Sequence, residues 1–347
     1  MLGAVLSVVT PIFNERENLP ELARRLSAAA GAVGAAVGGW EVVFVDDGSS
    51  DGSGAMLADL AAADDRLKVV TLSRNFGHQP AITAGLAHAA GEAIVLIDGD
   101  LQDPPELIGE LVEAWRGGAQ VVLAERTGRD DAVGGRGLGF RLFYPVLKLL
   151  SDLPEPPGSG IFGLLDRRVA DELLKLPERN RFIPGLRSWL GFEVARVSYH
   201  RADRAGGEPK QTLGRLVRYA ADAVVSFSTK PLRLAIYLGL LSSVAAFGLA
   251  LFYVGEKFFL DKPPNGFTTI IVCVLLLGGV QLVTVGILGE YVGRIYDEVK
   301  QRPLYVVSHR QGFDAKPSAP PKLAATVTPA GKRGGRKAVR RSATTSA

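Results

Sequence analysis

E-V-V-F-V-D-D-G-S-S-D-G, from Glu41 to Gly52, opens as a β-branched run and breaks off into carboxylates, hydroxyls and glycines. A helical pattern from Gly54 to Ala63 follows directly. Strand, polar turn and helix in that order form the repeating unit of a parallel sheet covered by helices on both faces. Sheets of this kind take their ligands just beyond the carboxyl ends of the strands.

The same unit recurs on either side. Strands are expected at Val5 to Thr10, Glu41 to Val45, Leu67 to Leu72, Ala93 to Ile97 and Gln120 to Ala124. Helices are expected near Leu19 to Ala30, Gly54 to Ala63, Ala81 to Ala89 and Pro105 to Trp115. Polar residues follow three strand ends, at Asn14 to Asn18, Asp46 to Ser53 and Asp98 to Asp103, so three clusters converge on one edge. The fold class is therefore α/β, a Rossmann-type and mostly parallel sheet. The first strand is not followed by G-x-G-x-x-G, which disfavours a dinucleotide enzyme.

Composition asks for more than this domain. The chain has 347 residues, of which 47% are hydrophobic and only 22% charged, a balance that points to membrane spans. Leu234 to Val254 carries no charge and Phe267 to Leu288 has only Gln281 as a strongly polar residue. Each matches the roughly 20 residues needed to cross hydrocarbon. The joining loop, Gly255 to Gly266, balances Lys257 and Lys262 against Glu256 and Asp261. The outer flanks hold Arg215, Arg218, Lys230 and Arg233 on one side and Arg294, Lys300 and Arg302 on the other, so both flanks are expected in the cytoplasm. Met1 to Val9 lacks a basic leader and is not read as a signal peptide, which keeps the amino-terminal domain on that side as well.

Gly137 to Leu153 and Leu213 to Phe227 mix apolar residues with Arg and Lys and read as interfacial helices, an ordinary core helix being the alternative for the first. Such helices are compatible with a homo-oligomer. Much of the net charge of +4 lies in Lys332, Arg333, Arg336, Lys337, Arg340 and Arg341, within a tail expected to be disordered and to lie against anionic lipid. A nucleic-acid arm is the rival reading of that tail, and no nucleic-acid partner is expected. The lone Cys273 excludes a disulfide framework and a Cys-based metal site. The expected organisation is a cytoplasmic domain over residues 1–210, an interfacial helix over 211–233, two transmembrane helices over 234–288, a cytoplasmic juxtamembrane segment over 289–310 and the tail over 311–347.

The chemistry sits in the turns. I-D-G-D-L-Q-D-P-P, Ile97 to Pro105, spaces Asp98 and Asp100 by one residue just past a strand, so both can turn to one ligand. Hard oxygen donors in that arrangement suit Mg²⁺ or Mn²⁺ beside a diphosphate. A lone D-x-D is weak, but Pro11, Asn14 and Glu15 in P-I-F-N-E and Asp46 and Asp47 in V-D-D-G-S-S-D-G add groups that can bind a nucleobase and ribose. The alternative is that Asp47, Ser49, Ser50 and Asp51 turn the chain and cap the next helix, and both roles can coexist.

Together with S-R-N-F-G-H-Q at Ser73 to Gln79, these ordered motifs resemble inverting family 2 glycosyltransferases of the dolichyl-phosphate mannose synthase type, which have a GT-A-like fold. R-F-I-P-G-L-R-S-W-L-G-F at Arg181 to Phe192, S-F-S-T-K-P-L-R-L at Ser226 to Leu234 and G-E-Y-V-G-R-I-Y at Gly289 to Tyr296 are similar to the bacterial branch with two carboxy-terminal spans, which includes bactoprenol glucosyltransferases. The resemblance spans Val5 to Val307. It implies a nucleotide diphosphate sugar as donor, polyprenyl phosphate as acceptor, membrane lipid as surroundings and the plasma membrane as location.

Residue by residue, the resemblance places Pro11, Glu15 and Asp47 around the nucleotide, with Asp46 beside them, and Asp98 and Asp100 at the metal and diphosphate. The family's basic run before the first span appears as Arg201, Arg204, Gly207, Pro209 and Lys210, whose cations are suited to an acceptor phosphate. Asp100, Arg201 and Lys210 form the expected catalytic set. One departure stands out: many relatives read G-D-F-R-L-L-D-R where this chain has G-I-F-G-L-L-D-R, so the proposed catalytic base is Ile161 here and the arginine is Gly163. A processive polysaccharide synthase would add a Q-x-x-R-W motif and more spans, whereas Pro184 to Trp189 reads P-G-L-R-S-W. A membrane scaffold that binds nucleotide sugar without turnover is the non-enzymatic alternative.

Overall fold

The computed structural model describes residues 6–127, 160–200, 228–260 and 266–313, all within one compact unit, Met1–Asp314. Its centre is an eight-stranded sheet whose strands lie in the order 194–200, 121–127, 163–166, 93–96, 6–12, 40–46, 67–72 and 307–311. β1 (Leu6–Ile12), β2 (Trp40–Asp46), β3 (Leu67–Leu72) and β4 (Ala93–Leu96) are the parallel strands expected from the sequence. β5 (Val121–Thr127) pairs parallel with β7 (Val194–His200), while β6 (Gly163–Asp166) runs antiparallel between β4 and β5.

Adjacent residues along each central strand enter opposite cores, as the two-residue period of a strand requires. Leu6, Val8, Val42 and Phe44 meet α1 (Leu19–Val37), α2 (Ser53–Ala63) and α4 (Ile108–Arg116) through Leu22, Leu57 and Leu111. Val9, Val43, Val45 and Leu96 meet α3 (His78–His88) and α5 (Arg167–Lys175) through Ile82, Leu86 and Val169. Helices thus cover both faces of a mostly parallel sheet.

β1 runs two residues further than expected, to Ile12, and carries Pro11 in register with Val45. A proline in a central strand normally breaks the ladder. Here Val9 offers its carbonyl to Ile97 on the β4 side, and Pro11 has the same parity as Val9, so it faces beyond the end of β4. Its missing N–H leaves no ladder bond unmade.

β6 depends on a glycine. A Cβ on Gly163 would lie 2.4 Å from the Val122 carbonyl oxygen, so the strand's approach to β5 leaves no room for a side chain. The arginine that many relatives carry there could not be accommodated without separating the strands.

At the opposite end of the domain a carboxylate is buried deliberately. Glu41, 1% exposed, accepts from the Ser7 hydroxyl at 2.5 Å and the Ala90 N–H at 2.6 Å, and Lys68 Nζ lies 2.6 Å from its second oxygen. Losing Glu41 would leave the buried Ser7 hydroxyl without its acceptor, a cost of about 1–3 kcal/mol, and would also remove the ion pair to Lys68. Glu41→Ala is therefore expected to lower the thermal midpoint of the solubilised protein strongly; a variant as stable as the parent would contradict this role.

Beyond the sheet lie α7 (Lys230–Leu260) and α8 (Phe267–Lys300), long and apolar enough to cross a membrane. Their apolar side chains, including Ile236, Leu240, Leu275 and Leu282, face outward rather than into a core. The base of this hairpin is fastened: Tyr291 donates to the Ser228 carbonyl at 2.7 Å, and Glu298 accepts from the backbone N–H of Arg179 at 2.7 Å and of Asn180 at 3.2 Å.

After α8 the chain returns to the sheet. β8 (Val307–Gln311) pairs antiparallel with β3, across the boundary where the sequence suggested a juxtamembrane segment giving way to the tail. Ser308 donates to the Thr71 carbonyl at 3.0 Å and Gln311 to that of Ala58 at 2.8 Å. Both expected interfacial segments, Gly137–Leu153 and Leu213–Phe227, lie outside the described residues, as does the tail beyond Phe313.

Candidate active site

Four loops meet at the carboxyl edge of the sheet. The loops after β1 and β2 are laced together: Asn14, in a left-handed turn at φ 56°, receives the Ser50 N–H at 2.8 Å on its side-chain oxygen and gives its own N–H to Ser49 Oγ at 3.1 Å. Glu15 N–H donates to Ser53 Oγ at 3.2 Å and Arg16 N–H to Asp51 at 3.0 Å. The hydrogen bond from Ser53 holds the Asp51 carboxyl below its ordinary range.

The two adjacent aspartates of the second motif face inward, each 3% exposed. Asp46 accepts from Ser49 N–H at 2.9 Å, and Asp47 accepts from the N–H groups of Phe76 at 2.7 Å and Gly77 at 2.9 Å. Burial pushes the Asp47 carboxyl up, against those two hydrogen bonds. These contacts describe loop architecture, with Asp47 holding S-R-N-F-G-H-Q in place. Gly48 completes the fit: at φ +70°, a Cβ there would lie 2.5 Å from the Arg74 carbonyl carbon.

The first aspartate of D-G-D is the open one. Asp98 has a side chain 37% exposed and lies 2.9 Å from His78 Nε2, which brings the third motif to the fourth. Asp100 is partly exposed and accepts from Gln102 N–H at 3.0 Å. Between them, Gly99 passes over the first motif, where a Cβ would lie 3.0 Å from the Pro11 carbonyl oxygen. The Pro11 carbonyl thus lies close to Gly99, the residue between the two aspartates.

Among the described residues no group of three or more His, Cys, Asp or Glu side chains could by itself enclose a metal ion. Asp98 and Asp100 offer hard oxygen donors on an accessible edge, and a cation held there would need water and substrate for its remaining ligands. That donor set fits Mg²⁺ or Mn²⁺, which are commonly held by one or two carboxylates plus phosphate oxygens.

Asp103 is different. Deeply buried, it accepts from Tyr199 Oη at 2.6 Å and from Arg126 Nη2 at 3.0 Å. Arg126 stands at the end of β5, on the same edge as the polar clusters, and was not singled out from sequence. The signal was present: E-R-T follows the fifth expected strand just as the other motifs follow theirs.

Ile161 packs into the apolar core with Leu165 and Ile183, so the position of the family's proposed base carries no acid. Arg181 and Arg187 are buried in the R-F-I-P-G-L-R segment, which the Ile183 N–H joins to Gln79 at 2.8 Å. Trp189, at the end of α6 (Ile183–Trp189), is exposed. Arg201, Arg204 and Lys210 lie outside the described residues, immediately after β7 in the chain.

Residues 7–174 match the model of Glycosyl transferase family 2, and residues 230–295 match the GtrB C-terminal hairpin. The uncharacterized glycosyltransferase YkcC of Bacillus subtilis (strain 168) is 42% identical over 89% of this chain and 95% of its own length. The chain belongs to glycosyltransferase family 2. The SfII prophage-derived bactoprenol glucosyl transferase of Shigella flexneri is 38% identical over 88% of this chain and 98% of its own length. Among solved structures, the mannosyltransferase PcManGT of Pyrobaculum calidifontis, in complex with GDP-Man and Mn²⁺, is 15% identical over 82% of this chain and 88% of its own, with a TM-score of 0.40. Family membership makes the chain a glycosyltransferase with a GT-A-like domain, and the hairpin match runs from the start of α7 to Ile295 in α8.

Proposed function

We propose that this glycosyltransferase moves one sugar from a nucleotide diphosphate sugar, of the UDP-glucose or GDP-mannose type, to polyprenyl phosphate, with inversion at the anomeric carbon. The observation that carries the reading is the fastening of the apolar hairpin to the domain that holds Asp98 and Asp100. A lipid-borne phosphate can reach such a site without leaving the membrane. Relatives named bactoprenol glucosyl transferase along nearly their whole length support it.

In the reaction an oxygen of the acceptor phosphate attacks the anomeric carbon, the bond from that carbon to the diphosphate oxygen breaks, and nucleoside diphosphate departs. Asp98 and Asp100 would hold a divalent cation, which supplies charge neutralisation at the diphosphate. A phosphate monoester, with a second pKa near 6, is already largely dianionic at neutral pH. It has no proton to lose during attack, so Ile161 in place of an acid is consistent with turnover. Arg126 and the run Arg201, Arg204 and Lys210 are assigned to the acceptor phosphate, aligning it for in-line displacement.

For topology, the cationic flanks of both helices and the return of β8 to the catalytic sheet support a cytoplasmic site with both ends of the hairpin on one side of the plasma membrane. The test is a screen of radiolabelled nucleotide sugars with undecaprenyl phosphate, followed by NMR of the product. A single sugar of inverted configuration is expected. A retained anomer, or a chain of several sugars, would defeat the mechanism.

A further inference from the structure

The donor chemistry leaves Asp103 without a task. From the loop beyond β4 it reaches past β6 to the ends of β5 and β7, where the register sets Arg126 beside Tyr199. A closed triangle forms there: Tyr199 Oη donates to Asp103 Oδ1 at 2.6 Å, Arg126 Nη2 donates to the same oxygen at 3.0 Å, and Arg126 Nε donates to Tyr199 Oη at 2.9 Å. Phe162 stands edge-on to the phenol with ring centroids 5.8 Å apart. Burial, aided by the bond to Asp103, pushes the phenol up to about 12, so Tyr199 keeps its proton across the working range of pH.

The two ends of the ion pair differ in exposure. The Asp103 side chain is 4% exposed and that of Arg126 is 46% exposed, so the anchor is dry and the tip reaches solvent. With Nε and Nη2 both held, the plane of the guanidinium is fixed, and the donors on Nη1 are left over for a ligand. A long cationic side chain that arrives already oriented loses less rotamer freedom when it binds.

We propose that Asp103 and Tyr199 are positioning residues, whose buried hydrogen bond holds the Arg126 guanidinium in one plane beside the Asp98–Asp100 loop so that it meets the acceptor phosphate pre-oriented. The proposal rests on the polyprenyl-phosphate reading and extends it to two residues that touch no substrate. It gives a buried carboxylate next to the metal loop a task separate from metal binding.

Tyr199→Phe is the informative variant, because it keeps the ring against Phe162 and the Asp103–Arg126 ion pair while removing the hydroxyl. In the full-length enzyme, kcat/KM for undecaprenyl phosphate is expected to fall about 10-fold, the scale of one hydrogen bond that fixes a reacting geometry. The fall should be divided between a higher KM and a lower kcat, with KM for the nucleotide sugar and Mn²⁺ affinity unchanged. A merely structural hydroxyl would lower the thermal midpoint and leave the kinetics of the folded fraction intact, which would overturn the proposal. Adding Tyr199→Phe to Arg126→Lys should cause no further loss, because lysine has no plane to fix; multiplicative losses would overturn the proposal as well. Should wild-type enzyme make no polyprenyl-phosphate glycoside with any nucleotide sugar, the functional reading falls and takes this proposal with it. Wild-type turnover with an indifferent Tyr199→Phe sinks the proposal alone.

Discussion

Asp100→Asn is expected to lower kcat about 10²-fold or more, on the scale of losing a principal electrostatic contact in a transition state. The substitution is mild for the fold. Asp100 Oδ1 accepts from the Gln102 N–H at 3.0 Å, and an asparagine oxygen can accept the same bond. The amide cannot supply the anionic oxygen that balances a divalent cation beside a diphosphate. Expression, membrane insertion and thermal midpoint should therefore match the parent while turnover collapses, and Mn²⁺ binding measured by EPR should weaken in parallel. Undiminished activity that is also insensitive to chelator would rule out the metal role.

The sequence made the parallel half of the sheet legible because each of those strands is a short run rich in β-branched and apolar residues followed by a polar turn. Leu67 to Leu72 was placed to the residue. β6 was not visible: G-L-L-D is short, lacks alternation and is held by its neighbours on both sides rather than by intrinsic preference. β8 was hidden for another reason. V-S-H-R-Q is mostly polar, as suits an exposed edge strand, and its partner β3 lies more than two hundred residues earlier in the chain. Neither composition nor local pattern reports a pairing of that separation.

The site was legible in its motifs and less so in the division of labour among them. D-D-G-S-S-D reads as a ligand cluster, as a turn or as both, and the contacts show the turn role. Asp47 spends both oxygens on Phe76 and Gly77, whereas Asp98 keeps its side chain at the open edge beside His78. In the sequence Asp103 is the last residue of the polar cluster Asp98 to Asp103. Burial distinguishes it, since a carboxylate withdrawn from water needs a cation and hydrogen-bond donors, and it draws these from two other strands. Arg126 was overlooked because an arginine near the end of a strand is unremarkable until a buried partner fixes it.

That fixation gives Arg126 the second large expected effect. Arg126→Lys should lower kcat/KM for polyprenyl phosphate by about 10²-fold while KM for the donor changes little. Hydrogen bonds to charged groups contribute about 1.5–3 kcal/mol each, and 1.4 kcal/mol corresponds to tenfold, so losing a directed guanidinium contact together with its alignment reaches that scale. Lysine is the right replacement because it leaves a cation beside the buried Asp103 and spares the fold the penalty of an unpaired charge. What it removes is the fork. The same exchange at Arg201 separates two kinds of cation: an acceptor clamp there should also fail as lysine, whereas a juxtamembrane cation drawn to anionic headgroups, at about 1 kcal/mol, should tolerate it. Wild-type kinetics in both lysine variants would mean that the phosphate is captured by charge alone, and the assignment of a guanidinium clamp at this site would be wrong.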